Sequence, residues 1–202
     1  SITPNGWLES QLRAQANGLT GHLDEFWPDI INSAWLGKEG GDAWERTPYY
    51  LDGLVPLAYI LNDSTLIAKA QPFIEWTLQS RQENGWFGPG KPGETWPQAV
   101  ANKVLCSYYE ATNDERVLEH IKKYFDYLYN TKPDFPDKDW RGVRAMEHAV
   151  TGYWLYQRTG NEKILKTIKK IFDNSSDWTS YYKKFPWDAN AVKDEKIPHN
   201  WG

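Results

Sequence analysis

Cysteine is nearly missing from this sequence of 202 residues: there is one, Cys106. That excludes an intrachain disulfide and a zinc cluster built from cysteines. It leaves the compartment open. A basic excess is missing too. Lys and Arg number 23 against 27 Asp and Glu, a formal net charge of −4, so no surplus of cations exists to displace counterions from phosphates, and no nucleic-acid partner is expected. Long apolar runs are absent: the longest mostly apolar stretch, Gly53 to Leu61, is nine residues. A membrane-spanning helix needs about twenty, so no membrane partner is expected either. The first residues, Ser1-Ile2-Thr3-Pro4, have neither the basic nor the apolar region of a signal peptide. No phosphate loop, dinucleotide fingerprint or Ser-His-Asp order is present, and strand signals are nearly absent.

What the chain has in abundance is tryptophan: twelve, with twelve tyrosines beside them. Most of these rings serve as packing bulk between helices. A chain with a mean hydropathy of −0.72 does not need so many for packing alone. Rings with an apolar body and a hydrogen-bonding edge suit half-wet surfaces. A sugar, with a C–H face and a rim of hydroxyls, is such a partner, and a carbohydrate cleft is expected.

An internal repeat organises the chain. Leu66, Ala70, Phe73 and Ile74 stand at offsets 0, +4, +7 and +8; Val117, Ile121, Tyr124 and Phe125 repeat them, and so do Ile164, Ile168, Ile171 and Phe172. This is the 3.6-residue period of an amphipathic helix. Each copy follows a cap-like turn: Asn62-Asp63-Ser64, Asn113-Asp114 and Gly160-Asn161. Their side chains can accept the orphan N–H groups of the following helix. An apolar stretch precedes each turn, so the unit is helix, turn, helix. The copies start 51 residues apart (66 to 117) and then 47 apart (117 to 164), the spacing of stacked α-hairpins. Gly6 to Asn17 and His22 to Ile31 make one further pair.

The expected fold is therefore all-α: about four stacked antiparallel hairpins in a single domain over residues 1–202. Such hairpins run open or curl into an (α/α)6 toroid, and six of them at ~50 residues need about 300 residues. The chain is read as an incomplete toroid whose expected partner is the missing C-terminal part of the same polypeptide. An open four-hairpin arc is the alternative. The Gly- and Pro-rich connections Glu83 to Thr95 and Lys132 to Asp139 are expected at one rim, where loops build sites.

The segments Gly18 to Trp27 and Trp44 to Gly53 mix rings, acids and, in the first, a histidine. Glu45 and Asp52 are the catalytic candidates. On a helix they project from one face two turns apart, about 10 Å along the axis, and glycoside hydrolysis uses carboxyl pairs. Pro48 makes strict helicity doubtful at the start. Asp24 and Glu25 read as acids at a helix N-terminus. Candidate substrate-binding residues are His22, Trp44, Trp96, Glu147 and His148, the last two on an inner helix that faces the cavity of a toroid. His22 and His199 lack metal-ligand spacing, and no metal ligands are assigned. Cys106, in an apolar helical run, reads as a small buried hydrophobe. Gln82 to Gly88 resembles one imperfect copy of the Gln-Trp motif of terpene cyclases, which also fold as α/α toroids.

Asn5-Gly6-Trp7-Leu8, Gly18 to Glu25, the block Trp44-Glu45-Arg46-Thr47-Pro48-Tyr49-Tyr50-Leu51-Asp52-Gly53 with its continuation to Tyr59, Gly85 to Pro89, and Trp154 to Gly160 together resemble the β-L-arabinofuranosidase-like glycoside hydrolases. The resemblance spans nearly the whole chain. It implies an (α/α)6 toroid followed by β-sandwich domains, in a secreted or periplasmic bacterial enzyme acting on plant glycans as an L-arabinofuranosidase-like exo-hydrolase. It also implies a cysteine thiolate nucleophile and a zinc ion, with ligands in the second half of the toroid. Cys106 does not match that motif, so those roles are not carried over and no cofactor is assigned to these residues. Histidines that bind sugar in some members fall nearest to Val100 and Ala145 here. A non-catalytic carbohydrate-binding arc is the alternative function, and a toroidal lyase or cyclase the third.

Overall fold

The three cap-like turns recur as three nearly identical structures. Asn62, Asn113 and Gly160 each take a positive φ, of 50°, 54° and 64°, which ends one helix in the left-handed region. The next residue or two then cap the following helix. Asp63 accepts the N–H groups of Thr65 and Leu66 at 2.9 and 3.1 Å, Asp114 that of Arg116 at 3.0 Å, and Asn161 that of Lys163 at 3.0 Å. The caps read from the sequence are the caps observed.

The computed structural model of the chain describes residues 3–131, 133, 135 and 140–183. All regular structure in them is helical. In chain order the helices are α1 (Gly6–Ala16), α2 (Leu19–Phe26), α3 (Pro28–Ile31), a 3-10 turn (Ala34–Leu36), α4 (Arg46–Ile60), α5 (Ser64–Gln79), α6 (Trp96–Thr112), α7 (Arg116–Thr131), α8 (Trp140–Arg144), α9 (Glu147–Thr159), α10 (Glu162–Asp173) and α11 (Trp178–Lys183). Most of the connection Lys132 to Asp139, and His199 with the residues around it, lie outside the described residues.

Consecutive helices pack as hairpins: α1 with α2, α4 with α5, α6 with α7, α9 with α10. Between hairpins, α4 packs on α6 and α6 on α9, while α5 packs on α7 and α7 on α10. Two rows result. The helices that carry the repeated spacing form one row, as the spacing predicts, and α4, α6 and α9 form the other. Leu54, Ile74, Leu105, Ile121, Leu155 and Ile164 are fully buried in the core that the rows enclose. The rows approach closely at Gly152 of α9, where an added Cβ would stand 2.7 Å from Ile168 and 2.8 Å from Phe125.

Three local expectations are corrected. Phe172, the +8 position of the third copy, is exposed, whereas Ile74 and Phe125 are buried. Among the described helices α10 is the last of its row, and Phe172 stays open to solvent there. Asp24 and Glu25 stand in the second half of α2, away from its N-terminus. What holds them is a cation from another helix: Lys69 Nζ of α5 lies 3.0 Å from Asp24 and 2.6 Å from Glu25. Pro48 causes no break, since it falls in the first turn of α4, where a missing N–H costs nothing.

Candidate functional site

The row α4, α6, α9 places the starts of its helices together, and the named residues collect there. Glu45 stands just before α4 and Trp96 opens α6; the indole N–H of Trp96 donates to the Glu45 carboxylate. One turn pair further along, Asp52 of α4 meets Lys103 of α6 at 2.8 Å. Both contacts join residues 51 apart. Helices α4 and α6 therefore run in one register, offset by the same 51 residues as the first two repeat copies.

Trp96 is buried, so its ring is no open platform. The exposed ring is Tyr49, 46 % accessible, whose ring lies 6.3 Å from that of Trp96. Desolvation raises the Tyr49 pKa first, and the charges of Glu45, Glu147 and Asp52 raise it further against an opposing effect of Arg144. The phenol thus stays protonated among three carboxylates and one guanidinium. The Lys103 pKa is raised mainly by its bond to Asp52. Arg144, at the end of α8, sits over the Trp96 ring at 5.2 Å and makes no ion pair among the described residues. Cation–π contacts of this kind contribute about 0.5–2 kcal/mol.

His148 is buried beside this cluster, its Nε2 3.1 Å from the Thr95 hydroxyl. Burial pushes its pKa down to about 4, so the imidazole is neutral at neutral pH and ties α9 to the start of α6. Its neighbour Glu147 is exposed. Trp44 is half-buried and meets the edge of Trp140 with centroids 5.6 Å apart. His22 is placed elsewhere. It is exposed, 2.8 Å from Glu25, and through Glu25 it belongs with Lys69 of α5, in the other row. The Gln82 to Gly88 turn is also structural. Gly85 takes a φ of 95°, and a Cβ there would stand 2.2 Å from the Lys123 carbonyl oxygen. Trp86 and Phe87 are fully buried, against Tyr127 and against Trp35, His120 and Tyr124.

The cluster thus joins Glu45, Asp52, Trp96, Glu147 and His148, all singled out in the sequence, to Tyr49, Lys103, Arg144 and Thr95, which were not. One signal was available. Trp96 and Lys103 are seven apart, as Glu45 and Asp52 are, which is the mark of paired helices in register.

A family model described as the β-L-arabinofuranosidase GH127 catalytic domain matches residues 33–199. The chain belongs to this glycoside hydrolase family. No curated protein and no solved structure matches it. The match begins after α3, so His22 falls outside it and the cluster around Glu45 and Trp96 falls inside. The thiolate and zinc implied by the family do not fit the residues described. Cys106 is buried, with its pKa pushed up to about 12, chiefly by burial. Among the described residues no three His, Cys, Asp or Glu side chains converge to hold a metal ion. No helix there is long and apolar enough to cross a membrane.

Proposed function

We propose that the helix starts of α4, α6 and α9 grip the terminal sugar of a plant-type oligosaccharide, as the binding wall of an L-arabinofuranosidase-like exo-hydrolase. The observation that carries this reading is the pairing of an exposed ring with a fixed carboxylate. Tyr49 offers an open aromatic face, and the Trp96 N–H holds Glu45 in place beside it. A sugar stacks its C–H face on such a ring and donates its hydroxyls to such an acid. Asp52, Glu147 and Arg144 continue the polar lining. Plant glycans are met outside the cell, which supports a secreted or periplasmic location.

Bond cleavage is assigned to groups other than these. Glu45 and Asp52 stand seven residues apart along the chain, roughly 10 Å along a helix axis, and each already has a partner. Carboxyl pairs that hydrolyse glycosides stand about 5–9.5 Å apart and face one sugar. The same engagement of both carboxylates favours a second reading, a carbohydrate-binding arc without a catalytic role. Calorimetric titration with L-arabinofuranosides, together with an assay on an aryl β-L-arabinofuranoside, tests the proposal. Binding near 1 mM, about −4 kcal/mol, is expected, weakened about tenfold in Glu45→Gln, with no turnover by these residues alone. A folded protein that binds no sugar overturns the reading. Turnover lost in Glu45→Gln or Asp52→Asn replaces it with a two-carboxylate mechanism. Turnover by the natural full-length polypeptide separates the hydrolase from the binding arc.

A further inference from the structure

Thr95 stands immediately before α6, where a threonine hydroxyl ordinarily accepts an N–H group from the first turn of its own helix. Here it makes no such bond. Pro97 removes one of the N–H groups that it would serve. The hydroxyl is spent instead on His148 of α9, 3.1 Å from Nε2. Both residues are buried, Thr95 with 5 % and His148 with 2 % of its surface exposed. A polar atom at that depth is costly to leave without a partner, so each side chain fixes the other. His148 is itself wedged between rings: that of Tyr124, from α7, lies 5.9 Å from the imidazole, and that of Phe135 lies 6.2 Å away. One threonine side chain thus ties the start of α6 to α9 and, through the imidazole, to α7.

The residue after Thr95 is Trp96, whose indole N–H donates to Glu45. Two of the groups against its ring are Tyr49, 46 % exposed, and Arg144, which has no ion pair among the described residues. Both are too weakly held themselves to aim that N–H. The backbone of the turn has one further bond, from the Ala99 N–H to the Thr95 carbonyl oxygen at 3.1 Å. That bond sets the pitch of the helix and leaves the Thr95 side chain to set which way its first turn faces. A binding group keeps its function only if it is held within about 0.5 Å and 10–20° of its place.

We infer that Thr95, clasped by His148, is a positioning residue of the proposed sugar site: it acts through Trp96, whose indole N–H it aims so that the Glu45 carboxylate stays turned to the sugar. This rests on the proposed sugar-binding function and adds to it the group that holds the site in shape.

The test reads the Trp96 indole N–H directly, by its proton exchange with solvent in nuclear magnetic resonance, with the signal assigned by its loss in Trp96→Phe. The unaltered chain should exchange this proton slowly, and so should Thr95→Ser, which keeps the hydroxyl. Thr95→Val has the same shape without the hydroxyl. It should exchange the proton about tenfold faster and bind an L-arabinofuranoside about tenfold more weakly. The double variant Thr95→Val/His148→Phe removes both buried partners, so it leaves no polar atom unmet and keeps the fold should Thr95→Val lose it. It should show the same two changes. In a Trp96→Phe background, Thr95→Val should weaken binding no further than Trp96→Phe alone, because the hydroxyl then has no N–H to aim. Losses that multiply in that combination overturn the inference, since Thr95 then acts apart from Trp96. An exchange rate that stays slow in the folded variants without the hydroxyl overturns it too. Both outcomes leave the proposed function standing. An unaltered chain that binds no sugar overturns the proposed function, and the exchange rates then decide by themselves whether Thr95 aims Trp96.

Discussion

The row α4, α6, α9 carries a Trp–Glu–Arg trio at each end, and the two differ in one contact. At the helix starts, Trp96 donates to Glu45 and Arg144 lies over Trp96 at 5.2 Å. Towards the helix ends, Trp154 donates to Glu110 at 2.7 Å and Arg158 lies over Trp154 at 4.1 Å. Arg158 also bonds Glu110, which closes its trio on itself. Arg144 has no carboxylate among the described residues, so its trio is open. A closed trio has spent its charges on one another and serves as a clasp between α6 and α9. An open one keeps a guanidinium and part of a carboxylate for a ligand. Composition alone does not make a site; an unmatched group does.

The tryptophans break the comparison first. Trp96 is buried and Trp154 only partly so. Trp96→Ala should cost about 3–5 kcal/mol of stability, and Trp154→Ala less than half of that. Sugar binding should vanish only in the first. Chemical denaturation and calorimetry check both, and equal losses at the two ends would erase the distinction.

Acid supplies the second test, because a buried histidine underlies only the open trio. The folded-state pKa of His148 is near 4, below its ordinary value near 6.5. Between these values the unfolded chain takes up the proton and the folded one does not. Stability is therefore full above about pH 6.5 and falls as the pH drops towards 4, by about 3 kcal/mol in all. His120, lowered to about 3 by burial against the core, adds a fall of the same sign. Denaturation midpoints at pH 7 and 4.5 should differ less in His148→Gln than in the unaltered chain. An identical difference would show that the Thr95–His148 contact carries no pH dependence.

The repeat was legible because it is local. Offsets of 4, 7 and 8 residues report one helix face, and Asp63, Asp114 and Asn161 cap within three residues of themselves. The packing of α5, α7 and α10 in one row followed from those offsets. The candidate cluster was legible in part: Glu45 and Asp52 were named for their spacing on one helix face and Glu147 and His148 for their inner helix, and the four stand in one cluster around Tyr49, Lys103 and Thr95. What the sequence hides are partners about fifty residues away. Trp96 looked like a platform, but its N–H is spent on Glu45, and the exposed ring beside it is Tyr49. His22 sits in a promising run of rings and acids, yet Lys69 draws its neighbours Asp24 and Glu25 towards the other row. Trp86 lies in a loop rich in glycine and still points into the core, since Gly85 lets the turn press against the Lys123 carbonyl.

The smallest expected effect separates the two arginines. Arg158 pairs with the half-exposed Glu110, and surface pairs contribute about 0.2–1 kcal/mol, less at high salt. Arg158→Met should therefore cost a few tenths of a kcal/mol more at low salt than at 1 M salt. Arg144 has no such pair, so whatever Arg144→Met costs through the lost ring contact should be the same at either salt concentration. A methionine still covers part of the Trp96 ring. The consequence of Arg144→Met should appear in ligand binding, as an affinity for arabinofuranosides lowered about threefold to tenfold. Denaturant midpoints at two salt concentrations, with a titration of each variant, give the four values needed. Salt-sensitive stability in Arg144→Met that matches Arg158→Met would mean that Arg144 also has a carboxylate partner in solution. The trio at the helix starts would then be closed like the other.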